Sequence, residues 1–187
     1  MKAQNTLRQH EIEYLDIAYE NIQDRRARTI VPCGAKGVLH DYVPFYFAPR
    51  SPMLYTIHKG NVKGYNQGQK PVIHLVTKAE AIEDEKIAFV FTDGHAVMSY
   101  TEFYNDLQAL AFAIDWDIME EKYWMDPPED GDRKRRRQAE FLVYQFCPWQ
   151  LIKEIGVIDG TIKSQVEEIL QNFKHQPKVN VSSDWYY

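Results

Sequence analysis

The residues best equipped for chemistry lie in separate stretches of the chain. In RQAEFLVYQF, Glu140 stands at the head of a run dense in aromatic and β-branched residues, just after five consecutive basic side chains, Arg133, Lys134, Arg135, Arg136 and Arg137. Read at a period of two, the run puts Glu140, Leu142, Tyr144 and Phe146 on one face of a strand and Ala139, Phe141, Val143 and Gln145 on the other. Such a strand is mostly buried, and an ionised carboxylate there is costly unless a cation, a donor or a ligand faces it. One of the neighbouring arginines could supply that partner structurally; a catalytic carboxylate would satisfy the same need. A second group, Arg25, Arg26 and Arg28, closes an amphipathic stretch, and a third, Asp93 and His95, falls in the turn-forming sequence TDGH at the end of a β-rich run.

Between them lies VLHDYVPFYFAPRSPMLY, whose aromatic residues are broken by Pro44, Pro49 and Pro52 and carry one arginine, Arg50. This density fits a core strand with a rigid corner, or a platform on which a base or a nicotinamide stacks beside a cation. No nucleophile elbow, phosphate-binding loop, dinucleotide glycine fingerprint or zinc-protease helix motif occurs. His40, Asp41, Asp93, His95 and Glu140 are the side chains from which a metal site would be built, but no two have a spacing that fixes them on one helix face, and no metal is expected. A buried carboxylate, arginines and aromatics suit transfer from a glycosidic donor, in which the carboxylate anchors a ribose hydroxyl and stabilises an oxocarbenium-like centre.

The elements that must position these residues read as follows. A helix spans 11–28 with Ile12, Leu15, Ala18, Tyr19 and Ile22 on one face and the arginines at its C-terminal end, where cations are favoured. Val43 to Phe47 forms an edge strand, because Pro44 cannot donate to a central ladder. Strands follow at 71–76, 86–91, 138–146, 155–158 and 178–181. Ser99 with Glu102 three residues on makes a capping box for a helix reaching Ile114, and further helices cover 116–124, 148–154 and 162–173, the last with Val166, Ile169, Leu170 and Phe173 inward. DPPEDGDRKRRRQ is a long loop delivering the chain into the Glu140 strand, and loops of that length in a compact domain carry function or are disordered. Strands cluster without regular βαβ alternation, giving an α+β fold in one domain.

With 187 residues, 44% of them apolar, the chain can bury a substantial core. A net charge of -5 and a pI of about 5.7 exclude coating nucleic acid by bulk charge, while the clustered arginines leave a local basic groove open. Cys33 and Cys147 are far apart and in no metal or redox spacing, which fits reduced thiols in the cytoplasm. No signal peptide or membrane span is expected.

Taken together, VLHDYVPFYFAPRSPMLY, FVFTDGHAV, RQAEFLVY and the terminal DWYY resemble the DarT family of DNA ADP-ribosyltransferase toxins from bacterial toxin–antitoxin pairs, over about Tyr19 to Tyr187. The resemblance implies an ADP-ribosyltransferase (PARP-like) fold with a split, twisted sheet around an NAD cleft, NAD as substrate, ADP-ribose transfer to thymidine in single-stranded DNA, and a macrodomain antitoxin as partner. By position it implies that Glu140 is the catalytic glutamate and Arg26 the catalytic arginine, with Tyr19 and Ile22 beside NAD on the same helix. Tyr46, Arg50, Met53 and His95 fall where the family meets its target DNA, and Lys134 and Arg137 lie in the matching substrate-recognition loop. Family members carry a further N-terminal segment with a first strand that this sequence is expected to lack, so a remnant that binds single-stranded DNA or the antitoxin without catalysis is the second reading.

Overall fold

The structure, a computed structural model, describes residues 1–13 and 20–187. Its strands are β1 (Tyr42–Tyr46), β2 (His74–Val76), β3 (Phe89–His95), β4 (Phe103–Tyr104), β5 (Ala139–Tyr144), β6 (Glu154–Val157) and β7 (Lys178–Val181). Its helices are α1 (Gln4–Gln9), α2 (Glu20–Arg26), α3 (Pro52–His58), α4 (Ala79–Asp84), α5 (Leu110–Ala113), α6 (Trp116–Glu120), α7 (Arg133–Arg136) and α8 (Gly160–Leu170). The strands form two open sheets, an antiparallel one in the order β1-β5-β3-β4 and a smaller one in the order β2-β6-β7.

The Glu140 strand is central because both of its faces are apolar enough to bury. Ala139, Phe141 and Val143 join one core with Phe89, Phe91 and Val43, while Leu142 joins a second with Val31, Leu39, Tyr42 and Val90. Phe89 stacks on Phe141 at 5.0 Å between ring centroids, a geometry that adds to the area both rings bury. β1 takes the sheet edge, and Pro44, opposite Leu142, is exposed there. A proline is tolerated because an edge strand has one side with no ladder to complete. Next to β5, Met1 to Ala3 run antiparallel to Gln145–Cys147, with Ala3 N–H donating to the Gln145 carbonyl at 2.7 Å and Cys147 N–H to that of Met1 at 2.9 Å.

In the smaller sheet β6 and β7 are parallel and need a crossover, which α8 provides. Asp159 caps α8 by accepting from Thr161 and Ile162 N–H. Ile162, Val166 and Leu170 face this sheet's core, whereas Ile169 and Phe173, expected to point inward, are exposed. The difference follows from the i, i+4, i+8 row, which includes Leu170 and excludes its neighbour Ile169.

Three other expectations are corrected. The chain after Ser99 does not run as one helix to Ile114: Phe103–Tyr104 pair with Phe91 and Thr92 as β4, and Leu107–Ala109 make a 3-10 turn leading into α5. Glu102 N–H donates to Asp93 Oδ1 at 2.9 Å, and the aromatic pair fits a pleated ladder better than a helix. Of the helix expected over 11–28, α2 is present, residues 14–19 lie outside the described residues, and Glu11 adopts a positive φ of 51°. The segment expected as a helix over 148–154 is a 3-10 turn, Trp149–Leu151, with β6 beginning at Glu154.

His74 packs edge-on against Trp185 and Tyr186, with centroids 5.6 and 4.9 Å away and no hydrogen-bond partner for Nε2 among the described residues. Burial lowers its pKa to about 4 from an ordinary 6.5. Because the unfolded chain takes up this proton first, the group's contribution is intact above pH 6.5 and is lost as pH falls towards 4, by about 3 kcal/mol at most. His74→Phe is expected to lose less stability than the parent between pH 7 and 4.5 in urea titrations. Parallel losses would mean that His74 protonates freely in the folded protein.

Candidate active site

Glu140 is 1% exposed, and its carboxylate is met from two directions. From α2, Arg26 Nη1 donates to Oε2 at 2.7 Å. From the turn after β3, Ala96 N–H donates to Oε1 at 3.3 Å and His95 Nδ1 lies 3.5 Å from the same oxygen, near enough for charge to act but long for a hydrogen bond. Burial alone would push the carboxyl up; the Arg26 charge, with His95 and the Arg26 hydrogen bond, outweighs it and holds the pKa down to about 2. A carboxylate in this setting is an ionised acceptor at any physiological pH.

The backbone beneath it is equally specified. The β3–β5 register shifts between Phe91 and His95, leaving the Glu140 N–H without a ladder partner. Thr92 supplies one: its Oγ1, fully buried, accepts from Glu140 N at 3.0 Å and donates to the Gly94 carbonyl at 2.7 Å. The bulge is what turns His95 and the Ala96 amide towards the carboxylate. Nothing in the spacing of Thr92 marked it, since its use depends on a register no local pattern shows.

Tyr46 lies opposite Glu140 across the β1–β5 pair and is half-buried. Its phenol is pushed up, first by burial and then by the Glu140 charge, so it remains a neutral donor beside the carboxylate. Arg26 is 8% exposed, and its Nη2 is buried with no hydrogen-bond partner among the described residues, so the guanidinium keeps a donor to spare. Ile22, one turn earlier on α2, is half-buried; Tyr19 lies outside the described residues. Four of the expected residues, Arg26, Tyr46, His95 and Glu140, are therefore brought together from α2, β1, the end of β3 and β5.

Others are placed elsewhere. Met53, near the start of α3, is partly exposed. Arg50 lies over the Tyr187 ring at 4.4 Å, and the Tyr187 hydroxyl donates to the Arg50 carbonyl at 2.9 Å while accepting from Trp124 Nε1 at 2.6 Å, so this arginine helps anchor the terminal DWYY segment. Arg137, 3% exposed, donates to the carbonyls of Ile118 at 2.5 Å and Met119 at 2.6 Å, which fixes the end of α6. Lys134 is exposed and makes no side-chain ion pair among the described residues. No group of three or more metal-ligating side chains is found among the described residues.

A model of the family described as ssDNA thymidine ADP-ribosyltransferase, DarT, matches residues 1–187. The chain belongs to the DarT family. It is 49% identical over 173 residues to a DNA ADP-ribosyl transferase of Thermus sp. (strain 2.9), covering 91% of this chain and 80% of that protein. It is 35% identical over 183 residues to one from Escherichia coli O127:H6, covering 98% and 83%. The solved structure of Thermus sp. 2.9 DarT in complex with ADP-ribosylated ssDNA superposes with a TM-score of 0.92 at 44% identity, over 100% of this chain and 87% of that one. The same DarT in complex with NAD+ gives 0.86 at 41% identity, with the same coverage. A further relative, from Thermosipho africanus, joins a DNA ADP-ribosyl transferase to a DNA ADP-ribosyl glycohydrolase in one chain; it is 28% identical over 134 residues, 72% of this chain and 32% of that protein. The two open sheets of this DarT-family chain are thus those of the ADP-ribosyltransferase fold.

Proposed function

We propose that this protein transfers ADP-ribose from NAD to thymidine bases of single-stranded DNA, with Glu140, Arg26 and His95 carrying the chemistry. The observation that supports it most directly is the buried Arg26–Glu140 pair at 2.7 Å, with Arg26 Nη2 lacking a hydrogen-bond partner among the described residues. Cleaving the glycosidic bond of NAD releases neutral nicotinamide and puts positive charge on the ribose. A carboxylate held ionised in a dry site stabilises that charge as it forms and accepts from a ribose hydroxyl in the ground state.

For the new bond to form between C1′ and the thymine ring nitrogen, that nitrogen must lose its proton. Arg26 cannot take it, because a guanidinium is not deprotonated in proteins. His95 is the better acceptor: its imidazole stands beside Glu140, its Nε2 makes no hydrogen bond among the described residues, and the imidazolium formed would be stabilised by the carboxylate. Arg26 keeps Glu140 in place and offers Nη2 to NAD or to the developing negative charge on the base. Tyr46 and Met53 are assigned to the DNA side of the cleft, Ile22 and Tyr19 to the NAD side, and Lys134 is the basic-run side chain open to a phosphate.

The reaction is placed in the cytoplasm, and its product is the substrate of a macrodomain antitoxin that removes the modification; the two-activity chain of Thermosipho africanus supports that pairing. No helix among the described residues is long and apolar enough to cross a membrane. The intact arginine, histidine and glutamate favour an enzyme over a binder without catalysis. Incubation with NAD and a thymidine-containing single strand, followed by mass spectrometry, should add one ADP-ribose to the DNA and none to an oligoadenylate. DNA bound without mass gain would overturn the reading.

A further inference from the structure

Arg135 belongs to the basic run, yet its guanidinium is turned inward with all three nitrogens hydrogen-bonded. It forks onto Asp132, with Nε at 2.8 Å from Oδ1 and Nη2 at 2.9 Å from Oδ2, while Nη1 lies 3.0 Å from Asp93 Oδ2 and 3.4 Å from Thr101 Oγ1. It crosses Gly94 so closely that a Cβ at that position would collide with it, and it lies 5.1 Å from the centre of the Tyr100 ring. Thr101 Oγ1 in turn donates to the His95 carbonyl at 2.9 Å. On the other side Arg25 Nη2 donates to the Val97 carbonyl at 2.7 Å. The segment from Asp93 to Thr101, which brings His95 and the Ala96 amide to Glu140, is therefore pinned by α2 at one point and by α7 at two.

We propose that Arg135 is a positioning residue: through Asp93 and Thr101 it fixes the turn that presents His95 and the Ala96 N–H to Glu140, and it does not bind DNA phosphate. A one-turn helix such as α7 is marginal alone, so the fork onto Asp132 and the bridge to Asp93 serve both partners, ordering the loop while aligning the catalytic pair. The inference rests on the assignment of Glu140 and His95 above. A phosphate ligand and a positioning residue make opposite demands on Asp93, since deleting its charge would strengthen phosphate binding but disable the clamp.

Arg135→Gln, Asp93→Asn and Thr101→Val, with Thr101→Ser as the conservative control, test this in the full chain. Expected are losses in kcat for ADP-ribose transfer of up to about 10²-fold for Arg135→Gln and Asp93→Asn, a smaller loss for Thr101→Val, recovery with Thr101→Ser, and unchanged KM for NAD and unchanged single-strand affinity throughout. Amide hydrogen exchange at Ala96 should quicken in the first three variants whether or not the protein modifies DNA, which separates failure of the clamp from failure of the functional reading. If Arg135→Gln fails to fold, Asp93→Asn and Thr101→Val decide. Weaker DNA binding in Arg135→Gln with kcat preserved, or tighter DNA binding in Asp93→Asn with Ala96 exchange unchanged, would overturn the proposal.

Discussion

Glu140→Gln is expected to lower ADP-ribose transfer to a thymidine-containing strand by about 10²–10³-fold or more while leaving strand binding unchanged. The amide is isosteric with the carboxylate and keeps one acceptor oxygen, which serves Arg26 Nη1, the shorter contact, at the expense of the longer one from the Ala96 N–H, so the fold changes little. It removes the full negative charge, the property that an oxocarbenium-like ribose draws on. The charge matters more here than at a surface, because a side chain that is 1% exposed acts through little intervening water. Single-turnover transfer and strand binding measured on the same preparation check the prediction. Equal losses in both would assign Glu140 a structural role.

Arg26→Ala should also abolish transfer, but through a different route that shows in stability. Removing one partner of a buried pair leaves an uncompensated charge, at a cost of about 3–5 kcal/mol. In the parent, the Glu140 pKa sits at about 2, below its unfolded value, so the contribution of the pair is present above pH 4.5 and is lost as pH falls from there towards 2. Without Arg26, burial dominates and raises the pKa, so the variant is penalised most at neutral pH and recovers as the carboxyl is protonated. The gap between parent and variant in urea stability should narrow as pH drops from 7 to 4. The Arg26→Ala, Glu140→Gln double variant should be less unstable than the sum of its parts. A constant gap, or additivity, would place the guanidinium's value in packing alone.

The Glu140 strand was legible because its pattern needed no partner to be read: large apolar residues at both parities mean burial on both faces, and β5 lies between two cores for that reason. The edge position of β1 followed from Pro44 in the same way. The Ser99–Glu102 spacing misled because a capping box is a local pattern, whereas the fate of Glu102 N–H was decided by Asp93 across the β3–β4 hairpin. Arg26 and Glu140 are 114 positions apart, and it was resemblance, not spacing, that joined them. Arg50 and Arg137 were assigned to the DNA side by resemblance alone, and no local pattern showed that one lies over a tyrosine ring and the other donates to two helix-end carbonyls. Thr92 is the reverse case, an unremarked residue whose hydroxyl completes a ladder that the bulge interrupts.

The inward turn of the basic run also bears on how the protein holds a strand. Arg135 is spent on Asp93 and Asp132, Arg136 on Asp115 and Asp130, and Arg137 on carbonyls. Arg135 and Arg136, already neutralised by carboxylates, displace few of the cations condensed along a polyanion, so association gains little from their release and loses little when ionic strength rises. Recognition then leans on the bases themselves, which lets an acidic protein select short thymidine-bearing sites without clinging to every strand it meets.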